Sequence, residues 1–61
     1  MIRVGDQVVV YGVMPPAMVE KIWTDPKTKV VTIELDWGER GHSRVYAHDE
    51  NDIWYKYTGT N

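Results

Sequence analysis

The chain has 61 residues, a mass of 7.1 kDa and a net charge of −2, from nine acidic and seven basic side chains. That length permits one small domain, which buries only about 60% of its unfolded surface, and the lack of cysteine excludes disulfide staples and thiolate zinc sites. No apolar run approaches a membrane span or a signal peptide, and the mildly acidic balance argues against a strong polyanion binder, leaving a single cytoplasmic module.

Valine, isoleucine and threonine supply 18 residues, whereas alanine and leucine together supply three. β-branched side chains are stiff at χ1 and suit a pleated surface, so the composition points to an all-β fold. Each of the seven aromatics, three Trp and four Tyr, carries a polar handle suited to half-buried positions. No window shows the i, i+3, i+4, i+7 spacing of an amphipathic helix.

In chain order, Val4-Gly5-Asp6 predicts a turn into a first strand over residues 7–11. Residues 12–16 read as a loop, because Pro15 and Pro16 cannot donate to a ladder and hold Met14 extended. Residues 17–24 form the second strand. Val19 and Ile22 lie three apart, so both reach the core only if a β-bulge near Glu20-Lys21 resets the alternation. Residues 25–29 are a hairpin turn with Pro26 at its second position. The third strand, residues 30–37, alternates most clearly, with Val31, Ile33, Leu35 and Trp37 on one face and Val30, Thr32, Glu34 and Asp36 on the other. A turn over residues 38–41 leads to the fourth strand, residues 43–47, with Val45 and Ala47 inward and Arg44 and Tyr46 outward. Residues 48–51 form one tight, 3₁₀-like turn, residues 53–57 close the module and residues 58–61 are a frayed tail. Five short strands without room for a second layer imply a small, highly bent five-stranded barrel over residues 1–57.

Val4-Gly5-Asp6-Gln7-Val8-Val9-Val10, Met18-Val19-Glu20-Lys21-Ile22, Asp36-Trp37-Gly38, Val45 and Ile53 together resemble the SH3-like barrels of the Tudor and KOW type, across residues 3–57. Such modules open on Val-Gly-Asp-x-Val and carry an apolar pair on the second strand. Tudor domains end the third strand in Asp-aromatic-Gly. The chain departs from them at Val13-Met14-Pro15-Pro16, where Tudor domains have an aromatic, and at Ala17-Met18, where KOW modules keep a glycine. These short motifs are structural, so the resemblance implies a fold and not a function. A free-standing barrel opening at its own Met1 is similar to small frames of phages and mobile elements.

The resemblance also places Trp37 where a Tudor recognition cage contributes a ring, with Tyr11, Trp23 and Tyr46 near it and Asp36 or Glu34 as carboxylate. Converging rings attract a methylated ammonium. Strand alternation alone accounts for Trp37 as the last core residue of its strand, which favours a peptide groove over a cage. Trp37, Arg40, His42, Arg44 and Tyr46 alternate bases with rings, a pattern that could stack unpaired nucleobases. Glu34, Asp36 and Glu39 offer those arginines cross-strand partners instead, each worth about 0.2–1 kcal/mol. The acidic stretch His48-Asp49-Glu50-Asn51-Asp52 lacks the spacing of a cation loop, and Asp49 and Asp52 are expected to cap turn amides.

Ser43-Arg44-Val45-Tyr46 is similar to the Val-Gln-Ile-Tyr stretch of the short plasmid-encoded dihydrofolate reductases, SH3-like barrels that assemble as tetramers. Tyr46 matches that motif, Val45 is conservative, and Arg44 stands where that family has its ligand-contacting glutamine. No nucleophile and base are otherwise paired. Val9, Val30, Tyr55 and Tyr57 fall on faces that a single barrel need not fill, which would suit a homo-oligomer. The expectation is therefore a non-catalytic protein-binding module without metal or cofactor, its partner held by Tyr11, Trp23, Trp37 and Tyr46 with Arg40 and Arg44 at the rim. Weak single-stranded nucleic-acid binding is the second reading, and membrane binding is not expected.

Overall fold

The β-branched runs fold into five antiparallel strands in a computed structural model that describes residues 2–58. These are β1 (Gln7–Val10), β2 (Val13–Thr24), β3 (Val31–Asp36), β4 (His42–Tyr46) and β5 (Trp54–Lys56). They form one sheet in the order β4-β3-β2-β1-β5. The first four strands are a meander, after which the chain returns to lay β5 beside β1. Short 3₁₀ turns occupy Gly38–Arg40 and Ala47–Asp49. Among the described residues there is no α-helix, and so none long and apolar enough to cross a membrane. The predicted tail, apart from Thr58, lies outside the described residues.

β2 has different partners along its length. Its first half pairs with β1 and its second half with β3. On the β3 side the register shifts between Val19 and Lys21, which makes Glu20 the extra residue of the expected bulge. Val19 is buried as a result and Ile22 packs against the core. On the β1 side the register shifts between Val8, opposite Ala17, and Val10, opposite Val13. Met14, Pro15 and Pro16 fall in that gap, and pairing with β3 begins only at Met18, so neither neighbour needs a proline N–H. Residues 13–16 of the expected loop are therefore part of β2. The turn is Tyr11-Gly12 alone, with Gly12 at φ 81°, a conformation that glycine adopts without a Cβ clash. The Met14–Pro15 bond is cis.

The second hairpin turns as its residues require. The Asp25 carboxylate accepts the N–H groups of Lys27 at 2.8 Å and Thr28 at 3.2 Å, and Asp25 N–H donates to Val30 O at 2.9 Å.

Val8, Ala17, Val19, Ile33, Leu35, Val45 and Trp54 form the buried cluster, with Ile2, Val10, Ile22, Trp37 and Ala47 packed around it. The alternations expected of β3 and β4 hold. The closing strand is shorter by one residue at each end: pairing with Val10 puts Trp54 on the core face, while Ile53 precedes the strand and is 47% exposed. Val9, read as a contact for a second copy, is buried within its own chain, whereas Tyr55 and Tyr57 stay exposed. In the turn before β5 it is the backbone carbonyl of Asp49 that receives Asp52 N–H at 3.0 Å and Ile53 N–H at 2.9 Å, in place of the expected carboxylate caps.

β4 and β5 end the sheet and do not pair, so the sheet is not closed by a ladder. A side chain links the two ends: Trp54 Nε1–H donates to Tyr46 O at 2.8 Å. Trp54→Phe keeps most of the buried ring and removes that donor. It should lower unfolding stability by about 1–2 kcal/mol, seen as a lower urea midpoint at unchanged slope. Trp54→Ala should cost about 3–5 kcal/mol. A Trp54→Phe midpoint equal to the parent's would show that packing alone holds the ends together.

Candidate functional site

Strand register decides which predicted residues meet. Trp23, Thr32 and Tyr46 are direct cross-strand neighbours on the outer face of β2, β3 and β4. Thr32 is only 4% exposed beneath the two rings, while Trp23 and Tyr46 remain 37% and 36% exposed. The Trp23 indole N–H donates to Glu34 Oε2 at 2.6 Å, which holds that ring in place. The Tyr46 ring stacks on His48 with 5.6 Å between centroids and 3° between planes. Together with Arg44 and the hairpin residue Val30 they line an open groove of about 370 Å³.

Trp37 and Arg40 lie in a second setting. Trp37 packs against the core at the end of β3, as alternation implies, and its Nε1–H donates to Ser43 Oγ at 2.7 Å. The Arg40 guanidinium sits 5.8 Å from the Trp37 ring centroid, where a cage would take its cation, and donates from Nη1 to Met14 O at 2.6 Å. Val10, Val13, Trp37, Val45 and Ile53, with Arg44 at the rim, line a trough of about 430 Å³ along the unclosed seam of the sheet.

Tyr11 is in neither setting. Its ring packs on Tyr55 at 5.1 Å between centroids, at the turn between β1 and β2. Trp23, Arg44 and Tyr46 are thus brought together, Trp37 and Arg40 form a neighbouring pair, and Tyr11 stands apart. Arg44 borders both the groove and the trough.

The expected cross-strand charge pairs are absent among the described residues. Glu34 lies opposite Arg44 in the ladder but is bonded to Trp23, and Asp36 accepts Gly38 N–H at 2.8 Å. The ion pairs that do form are His42–Glu20 at 2.9 Å, His48–Asp49 at 3.7 Å and Lys56–Asp6 at 3.6 Å. Arg44 has none of these partners. No three His, Asp or Glu side chains among the described residues converge as a metal site requires.

Sequence reasoning missed His48 and Thr32 as parts of the groove. Thr32 was legible in principle, since the outward row of β3 has to pass between the outward rows of its neighbours. The His48 stack depends on the 3₁₀ turn after β4, which no local pattern announces.

No family model, curated protein or solved structure matches the chain.

If the Trp23–Tyr46 face is a surface and not a second core, Trp23→Ser should cost about 1–2 kcal/mol, for a partly buried ring and one hydrogen bond, well short of the loss at a core tryptophan. Thermal unfolding of the variant measures this directly. A loss of several kcal/mol would mean that the ring is structural.

Proposed function

We propose that the chain is a non-catalytic protein-binding module on an SH3-like barrel of the Tudor or KOW type. The meander with β5 returned beside β1, and the 3₁₀ turn leading to it, support the SH3-like part of this reading. The observation that carries the binding part is the row Trp23–Thr32–Tyr46: two rings flank a floor that admits little water, with an arginine free of ion pairs at the edge. Trp, Tyr and Arg dominate the energetic centres of protein interfaces because they combine large buried area with directional polar atoms. The groove is open to solvent along its mouth, which suits a peptide segment.

Selection from a displayed random-peptide library tests this reading. The enriched sequences should bind in a manner that Trp23→Ser and Arg44→Ala each weaken by about tenfold, equivalent to about 1.4 kcal/mol. Their affinity should change little between low and moderate salt. The stacked Tyr46–His48 pair beside Arg44 favours a second reading, weak binding of single-stranded nucleic acid. A thymidine oligonucleotide would then bind with an affinity that falls steeply over the same salt range. If neither probe responds to Trp23→Ser, this face is not the binding surface.

A further inference from the structure

β4 is an edge strand, and the direction of its backbone groups follows from its ladder. Trp37 N–H donates to Gly41 O at 2.8 Å, so the bonded pairs of the β3–β4 ladder continue at Leu35–Ser43 and Ile33–Val45. His42, Arg44 and Tyr46 therefore point their N–H and C=O groups away from β3. The Tyr46 carbonyl confirms this direction, since it is the one that accepts from Trp54. The backbone groups of His42 and Arg44 and the N–H of Tyr46 have no backbone partner among the described residues, and all three side chains are exposed. Unpaired edge groups of this kind are a template for another strand.

The geometry points to β-strand addition at β4, with an extended segment of alternating acidic and apolar residues from another protein as the added strand. This rests on the protein-binding reading above and specifies its partner and mode. An added strand that bonds to Arg44 places its bonded residue opposite the Arg44 side chain, which has no ion pair, so that position calls for a carboxylate. The residues on either side point to the inner face beside Ser43 and Val45. There they meet the trough formed by Val10, Val13, Trp37 and Ile53, so those positions call for apolar side chains.

A second copy of the chain fits less well. In the register that overlaps all five residues of β4, Arg44 falls opposite its own copy, and like charges directly opposed destabilise a pair. Moving by two residues to relieve that clash leaves only three residues of β4 paired with three of the copy.

The test uses a synthetic peptide of alternating glutamate and valine, the same peptide N-methylated on the residues that bond to β4, and a lysine-for-glutamate peptide. The plain peptide should bind, slow exchange of the Arg44 amide by about tenfold or more, and lose about tenfold in affinity on N-methylation. Arg44→Glu should abolish its binding and gain binding to the lysine peptide, which shows that the variant is folded. Failure of the plain peptide to bind at millimolar concentration overturns the proposal. Binding that ignores N-methylation but falls with Trp23→Ser also overturns it, while leaving the aromatic groove standing. Concentration-dependent protection of Arg44 without peptide assigns the edge to a second copy and overturns it as well.

Discussion

The open side of the sheet, between β4 and β5, depends on one buried indole. β5 is three residues long and β4 five, and no ladder joins them, so linking the two ends and filling the interior between them fall to side chains. Trp54 does both jobs with a single side chain. Its ring fills the centre of the core at 1% exposure, and its N–H reaches the last carbonyl of β4. A bond made by a side chain constrains the two ends at one point only. Beyond that point they remain apart, leaving the apolar seam and the free edge of β4. The ladder that turns the Tyr46 carbonyl toward Trp54 also places the Tyr46 ring on the outer face, where His48 stacks on it.

The two register shifts in β2 distribute the remaining side chains. The extra residue at Glu20 leaves Val19 on the core side while letting Trp23 emerge on the outer face opposite Thr32. It also frees the Glu20 carboxylate to meet His42 at 2.9 Å. The gap that contains Pro15 and Pro16 presents the Met14 carbonyl to Arg40, which ties the first hairpin to the turn after β3. The same turn is held by Asp36 on Gly38 N–H and by Trp37 on Ser43, so the rim of the seam is a network of local bonds and not a loose loop.

The sequence made much of this legible where periodicity was strict. Val31, Ile33 and Leu35 specify the inner face of β3, and the three-residue spacing of Val19 and Ile22 locates the bulge. Legibility failed where a partner strand overrides the local rule. Pro15 and Pro16 read as a loop because proline cannot donate, yet a strand position whose neighbours need no donor accepts it. Ile53 and Trp54 are both apolar, and only pairing with Val10 decides which faces the core. The aromatic set was identified by type but not by location, because Tyr11, Trp23 and Trp37 take their places from three different turns and registers.

Net charge is a poor guide to the charge that the exposed face of β4 presents. The chain as a whole is acidic, yet three of the carboxylates around β4 are engaged locally: Glu20 by His42, Glu34 by the Trp23 indole, Asp36 by a backbone amide. Each of the three has a partner of its own, and none of them pairs with Arg44. Arg44 is thus left without an ion pair where the two grooves border each other. A cation left unpaired in this way gives up little internal bonding when a carboxylate from outside approaches it, and that carboxylate would displace water rather than a neighbour. On a sheet this small, one arginine without an ion pair beside an open strand edge is enough to set the sign of the local charge.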